Sequence, residues 1–460
     1  MEHTSPPQES RRPAETPHLR RVLHLKDLIF YGIVLITPIA PAGIFGVACT
    51  LSRGHVATTL LVAMVAMMLT ALSYGRMAAL YPAAGSAYTY VGKGLNAHLG
   101  FMAGWTMILD YLLIPVINTA YVALTVQRLT PAIPYPVLAA LTAGGITLLN
   151  LRGIRSTARA NLVLLATMSV VIGAFVVTAT RFLLHSSGWP GLLSTIPFYN
   201  PDSFQIGSVA TATSVAALTY IGFDGVSTLA EEVDNPQHNI SRATVLVCLI
   251  TGLLSTLEVY LAQRVWPDYR AFLNPETAFL DVTGRVGGAL LFNAMAIVLI
   301  VSCFGAGLTG QVGAARVLFG MGRDRVLPAG VFGRLNPKTA SPDRNVLFIG
   351  VVAFLGAILL SWERAVEMLN FGAFISFMGV NAAVLYKYYI EKRAAGKRPG
   401  FFSYAVLPAL GFLFCFGIWI SLRTPAKIAG GVWLLAGLVY LIVRTRGFRL
   451  APAPLDLREG

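Results

Sequence analysis

Three carboxylates stand alone in long uncharged stretches of this 460-residue chain. Asp110 is the only charged residue in Gly94–Gln127, Asp224 the only one in Ser203–Ala230, and Glu258 the only one in Ala243–Gln263. No lysine or arginine lies within those runs to neutralise them. A charge at the centre of a bilayer costs about 2.5–3.5 kcal/mol on insertion scales, so such a group faces the interior of a helix bundle and marks a route for a substrate, an ion or a proton. Each acid also has a structural reading. Asp224 could bond a helix end, Asp110 a neighbouring hydroxyl such as Tyr111, and Glu258 could pair with Arg264 a turn or two further on. Past the helix-bending Pro115 follow Asn118, Thr119 and Tyr121. Phe223, next to Asp224, either closes over a small ligand or packs in the core. Most other polar residues in these runs are Ser and Thr, which bond back to their own helix and carry no signal.

The chemistry of an enzyme is not visible. His55, His98 and His185 have no matching carboxylate set, and no metal-ligand cluster, nucleophile–base pair or cofactor motif is found. Gly320-Met321-Gly322-Arg323-Asp324 is glycine-rich, but it lacks the Lys-Ser/Thr that follows a phosphate loop and the strand that precedes one.

Two stretches interrupt the helical pattern. Thr37-Pro38-Ile39-Ala40-Pro41-Ala42-Gly43-Ile44-Phe45-Gly46 places two prolines in mid-run, each without an N–H and each clashing with the preceding turn. Tyr220-Ile221-Gly222-Phe223-Asp224-Gly225 flanks the lone acid with glycines. Five spans separate the two stretches. Broken segments at corresponding positions of two halves point to a transporter's binding site at the bilayer midplane; two ordinary kinks are the alternative. On the first view Ile39, Ala40, Pro41, Gly43, Gly222, Phe223, Asp224 and Gly225 line the site, with Asp110, Tyr111 and Asn118 facing it.

These residues have to be carried by membrane helices. Only 12% of residues are charged, while 55% are hydrophobic; a soluble domain carries roughly 25% charge. Runs such as Leu28–Ser52, Gly54–Gly75 and Val286–Ala315 carry no charge at all, and about 20 apolar residues suffice to cross a bilayer as a helix. Twelve spans are expected, near 27–49, 56–80, 98–126, 133–150, 158–184, 205–231, 243–264, 285–316, 345–361, 366–389, 402–421 and 427–443. Of the 35 basic residues, 26 then fall on the side holding both termini, which places both ends in the cytoplasm and accounts for the net +14 without a nucleic-acid partner. Segment 1–26 reads as a flexible cytoplasmic tail and 444–460 as a second one. Trp189, Trp266, Trp362 and Trp433 fall near span ends, as interfacial anchors do. The four cysteines lie singly in apolar runs and read as small buried hydrophobes. Glu231, Glu232 and Asp234 stand out at the cytoplasmic end of span 6. They are expected to pair with Arg316, Arg323 and Arg325 and so close an inner gate, with Glu231 and Arg323 its main members.

The order and spacing of the motifs resemble the amino acid–polyamine–organocation superfamily, and within it the putrescine-importer-like branch, over about Leu25–Arg444. They are Thr37-Pro38, Gly43-Ile44-Phe45-Gly46, Ser73-Tyr74-Gly75, Tyr81-Pro82-Ala83-Ala84-Gly85-Ser86-Ala87-Tyr88-Thr89-Tyr90, Gly100-Phe101-Met102-Ala103-Gly104-Trp105, Leu109-Asp110-Tyr111 and Gly222-Phe223-Asp224-Gly225. Glu231-Glu232, Met321-Gly322-Arg323-Asp324, Leu327-Pro328 and Asn370-Phe371-Gly372-Ala373 complete them. The resemblance implies an all-α membrane protein with a five-plus-five inverted repeat (27–184 and 205–389), two added spans (402–443), broken helices 1 and 6, and alternating access. It also implies uptake of amino acids or polyamines, driven by protons or by exchange.

Two positions depart from the family pattern. Many amino-acid permeases of the superfamily carry G-x-G-I-F at the first break, where backbone amides hold the substrate carboxylate. Here Pro41 replaces the first glycine, which weakens that cradle. Some members carry a lysine in span 5 in place of a sodium ion; Met168 stands there in this chain. The expectation is therefore a plasma-membrane importer of a small cationic amine such as putrescine, with Asp110 and Asp224 holding ammonium groups. Protons serve as the coupling ion if one acid changes protonation during the cycle. An amino-acid permease or exchanger on the same scaffold is the alternative. A channel is less consistent with the sequence, which shows no ring of filter residues, and the tails are too short for a sensor's signalling domain.

Overall fold

A computed structural model describes residues 23–81, 86–153, 158–229, 233–323, 327–336, 341–397, 400–450 and 452. In chain order the helices are α1 (Leu25–Ile36), α2 (Ala40–Leu51), α3 (Val56–Leu80), α4 (Ser86–Gly94), α5 (Ala97–Leu129), α6 (Tyr135–Leu151), α7 (Ala158–Leu192) and α8 (Ile206–Ala216). After α8 come two 3-10 segments, Ala217–Tyr220 and Phe223–Leu229. Then follow α9 (Pro236–Val265), α10 (Ala278–Arg323), the short α11 (Ala329–Phe332), α12 (Asp343–Leu359), α13 (Trp362–Val384), α14 (Lys392–Ala394), α15 (Leu407–Ile420) and α16 (Thr424–Arg444). Wide helical turns run through Leu385–Glu391 and Phe402–Val406. Among the described residues nine helices are long and apolar enough to cross a membrane, or ten if α1 and α2, bent by 52° at their junction, count as one span.

The core is built where α3 packs on α9 and where α5 packs on both α10 and α13. Of these, α3, α5, α9 and α13 bury most of their length, whereas α7, α10, α15 and α16 expose apolar surface as lipid-facing helices do. Glycines permit the closest approaches. A methyl on Gly94 would stand 2.6 Å from the Ala383 methyl, and one on Gly32 2.6 Å from Val247. Small residues of this kind let membrane helices pack backbone to backbone.

Cross-links tie the loops at the end away from the termini. Gln263 donates to Gly54 O at 2.5 Å, His55 Nε2 accepts from the Asn200 amide at 3.1 Å, and Tyr135 donates to Ala357 O at 2.8 Å. At the other end Leu23 forms an isolated parallel bridge with Val233, and Tyr388 donates to Arg76 O at 3.0 Å.

Two features were not anticipated. The spans expected at 56–80 and 98–126 leave 81–97 as a connection, yet Ser86–Gly94 is a helix leading into α5. A matching segment, Ala278–Gly287, leads into the rest of α10 and is set off from it by Gly288 at φ 62°. Short amphipathic helices of this length lack the run of 18 or more apolar residues that makes a span legible.

The sharpest backbone requirement is at Gly222, where φ is 113°, a conformation that costs a residue with a side chain about 1–3 kcal/mol. Gly222→Ala is expected to lower the thermal unfolding midpoint of the purified protein. Gly144→Ala, on an open helical face where an added methyl meets nothing within 4 Å, is expected to leave it unchanged or raise it, since alanine favours helix by about 1 kcal/mol. Equal midpoints for the two variants would contradict the strained geometry at Gly222.

Candidate functional site

The first break follows from Pro38. A residue before proline is excluded from the helical region, and Thr37 adopts φ 63°, ψ 98°. The missing Pro38 N–H would leave Val34 O without its helical donor; the Thr37 hydroxyl takes that place at 3.4 Å, while the Thr37 amide bonds Ile33 O at 3.1 Å. Among the described residues no backbone amide donates to Leu35 O or Ile36 O. The end of α1 therefore presents bare carbonyls, the negative pole of a helix, which favours a cation.

The head of α2 offers little to an anion. Its Ala40 amide bonds Thr37 O at 2.9 Å, its Ala42 amide bonds Ile39 O at 3.1 Å, and Pro41 has no N–H. Pro41 lies in the first helical turn, where proline is well tolerated. The substitution thus suits the helix and removes a donor from the place where the family resemblance puts a carboxylate cradle.

The second break is at Ile221 (ψ 129°) and Gly222. It faces the first. A methyl on Gly222 would lie 3.3 Å from Leu35 O, and one on Gly225 2.7 Å from Leu35 Cδ1. Absence of side chains at these two glycines is what brings the broken segments together.

Asp224 lies in the first turn after this break. Ser86 Oγ donates to its Oδ2 at 3.4 Å, and Ser227 Oγ donates to its backbone oxygen at 2.6 Å. The carboxyl also turns back over its own amide and those of Gly222 and Gly225. Helix-end bonding, the structural reading of this acid, is therefore present, and it coexists with a position at the break. Asp110 lies within coulombic range of Asp224. Both residues keep some surface open, yet Asp110 Oδ1 is buried without a hydrogen-bond partner. No basic side chain is within ion-pair distance of either acid among the described residues.

Phe223 is fully buried. Its ring lies 5.4 Å from Tyr74 in α3 and 5.3 Å from Phe377 in α13, and Tyr74 in turn meets Tyr90 of α4 at 5.8 Å. The Tyr74 hydroxyl lies beside Ser86 and that of Tyr90 beside Ser227, though neither bond has good geometry. Ser86, Tyr74 and Tyr90 thus surround Asp224. They occur in motifs of the family pattern, but nothing in their spacing assigned them to this acid.

Other expected residues go elsewhere. Ile39, Pro41 and Gly43 are buried beside the first break and Ala40 is half-buried. A methyl on Gly43 would stand 3.3 Å from Tyr121 Cζ, so Gly43 faces Tyr121 of α5. Asn118 donates to Ile114 O at 2.9 Å and faces Gly307 of α10. Tyr111 likewise lies against Gly313 of α10, in an apolar cluster with Phe101 and Ala314. The structure thus places Asn118 and Tyr111 on the α10 side of α5, not at the breaks. Glu258 is 1% exposed, and its Oε1 has no partner. Arg264 does not pair with it; its guanidinium donates to Gly191 O at 2.9 Å. Of the gate residues, Glu231, Glu232 and Arg325 lie outside the described residues, Arg323 is exposed at the end of α10, and Asp234 lies 3.9 Å from His24 in place of an arginine. A groove lined by Val176, Val177, Thr180, Arg181, Leu184 and His185 lies on α7, apart from these residues.

Comparison with known proteins identifies the family. The family model described as amino acid permease matches residues 28–444. A low-affinity putrescine importer of Escherichia coli is 32% identical over 449 residues, covering 98% of each chain. A branched-chain amino acid permease of Bacillus subtilis is 26% identical over 93% of this chain and 94% of its own. A vacuolar cationic amino acid transporter of Arabidopsis thaliana is 28% identical over 81% of this chain and 64% of its own. The chain belongs to the amino acid permease family of the amino acid–polyamine–organocation superfamily.

Proposed function

We propose that this protein is a secondary active importer of a small cationic amine of the putrescine class. The observation that carries the reading is the pair Asp110 and Asp224, two carboxyls on different helices, within coulombic range and without a basic partner, beside two facing breaks. An ammonium there gains charge-assisted hydrogen bonds, about twice as strong as neutral ones, and the bare carbonyls of Leu35 and Ile36 add acceptors. A substrate carboxylate would find few donors at the head of α2. The match to the putrescine importer supports the same class. Phe223 and its aromatic neighbours form the wall that closes against the ligand, and Glu231 with Arg323 closes the cytoplasmic end.

In this reading the bent pair counts as one span, and the 17-residue helices α6 and α12 complete twelve. Helix α4 before α5 and segment Ala278–Gly287 before the rest of α10 occupy corresponding places in an inverted repeat. Both termini lie in the cytoplasm of a plasma-membrane protein, because 26 of the 35 basic residues share their side. Protons drive uptake. Met168, buried in α7, replaces the lysine that substitutes for sodium in some relatives, and a carboxyl that loses its counter-ion when the amine leaves takes up a proton instead.

Uptake of labelled putrescine by the protein reconstituted in liposomes tests the reading. Asp110→Asn and Asp224→Asn are each expected to reduce uptake at 1 KM at least tenfold, equivalent to about 1.4 kcal/mol; wild-type rates in both would refute the assignment. Competition by zwitterionic amino acids, with none by diamines, would instead establish the amino-acid permease alternative. A pH gradient, acidic outside, is expected to raise the initial rate several-fold and a protonophore to abolish the rise. Rates indifferent to the gradient would remove proton coupling. In thermal unfolding without ligand, Asp110→Asn is expected to be neutral or stabilising, since it removes an orphan charge. Asp224→Ala is expected to destabilise by about 1 kcal/mol, as loss of a capping side chain does. The reverse order would show that the capping contacts of Asp224 are not those described.

A further inference from the structure

Beyond the breaks, at the end of the bundle away from the termini, a second group of acids converges. Arg423, in the turn before α16, reaches the first turns of α13, with Nη2 3.0 Å from Glu363 Oε1 and Nε 2.8 Å from Glu367 Oε1. One guanidinium serves two carboxylates. Glu367 is completely buried, and its other oxygen, Oε2, has no partner. A third acid, Glu276, lies in the turn Pro275–Thr277 that packs on α2, within coulombic range of Glu363. Two other arginines near this end are engaged elsewhere. Arg128 pairs with Asp281, and Arg285 lies over the Phe182 and Trp266 rings at 5.7 and 5.4 Å.

An independent feature points to a ligand. Tyr121 is only 3% exposed, and its hydroxyl makes no hydrogen bond among the described residues. It lies within electrostatic reach of Glu276. The ring meets Trp362, the residue before Glu363, at 5.5 Å, and Gly43 leaves its other side without a side chain. A buried hydroxyl without a partner is costly, and a hydroxyl beside an aromatic face and a surplus of carboxylates suits a primary ammonium, which attracts rings as well as anions. Tyr121 lies eleven residues after Asp110 on α5. That is close to three full turns, so the two share one stripe of the helix about 16 Å apart.

We propose that Glu276 and Glu363, with the Tyr121 hydroxyl and the Trp362 ring, form an outer station that holds the ammonium end of the amine before it descends along α5 to Asp110 and Asp224. The station rests on the amine-importer reading. Arg423 fixes Glu367 and shares Glu363, and Glu276 supplies a carboxylate that has no ion-pair partner among the described residues. Its capture of substrate raises apparent affinity without taking part in the later steps.

Kinetics of labelled putrescine uptake in liposomes decide the matter. Wild type, Glu276→Gln and Glu276→Asp are compared, each after its thermal unfolding midpoint is shown to match wild type. Expected are a fivefold or greater rise in KM for Glu276→Gln with an unchanged maximal rate, and recovery to within twofold in Glu276→Asp. An unchanged KM in Glu276→Gln overturns the station, as does a loss confined to the maximal rate. If Glu276→Gln folds poorly, Tyr121→Phe takes its place, with a rise in KM expected and an unchanged KM overturning the proposal. Failure of the importer reading looks different: wild type itself would not accumulate putrescine.

Discussion

A main chain crossing hydrocarbon has to satisfy its own amides and carbonyls, and everything described here depends on the two places where this chain does not do so in the ordinary way. At Thr37 a proline removes a donor, and a threonine hydroxyl replaces only one of the bonds lost. At Gly222 the backbone turns through a conformation that excludes side chains. Either break alone would be a kink. Because Gly222 and Gly225 lie against Leu35, the loose ends meet, and unpaired backbone becomes the lining of one region of the protein.

The charges follow from the same constraint. Two carboxyls held near these breaks without a cation cannot both be ionised cheaply in a low-dielectric interior. Asp224 relieves its cost locally through Ser86 and the neighbouring amides; Asp110 has an oxygen with nothing bound. In the proposed function a positively charged guest completes the arrangement, and a proton is the substitute when the guest has left. On that proposal, selectivity for an amine over an amino acid resides largely in what the head of α2 lacks, since its first amides are bonded internally or absent.

Much of this was legible in the chain itself, and the limits have physical causes. Pro38 and Gly222 act on their own backbone, so the sites of the breaks could be read locally. The isolation of Asp110 and Asp224 is a property of composition and was equally plain. Which face of α5 meets which neighbour is not local. Asn118 and Tyr111 sit close to Asp110 in sequence but turn toward α10, while Tyr121, three turns on, returns to the stripe of Asp110. The expected pair of Glu258 with Arg264 failed because the arginine found backbone carbonyls at Pro190 and Gly191, at the C-terminal end of α7 some 70 residues away. The acids around Arg423 were missed since they come from three separate turns; the four-residue spacing of Glu363 and Glu367 was the one local clue.

The most direct test of the central claim is an experimental structure of the protein in lipid nanodiscs with putrescine bound. The account predicts ligand density between the Leu35–Thr37 and Ile221–Asp224 segments, with one nitrogen within hydrogen-bond distance of Asp110 or Asp224. Unbroken helices through Thr37 or Gly222, or a ligand that touches neither carboxyl, would contradict it.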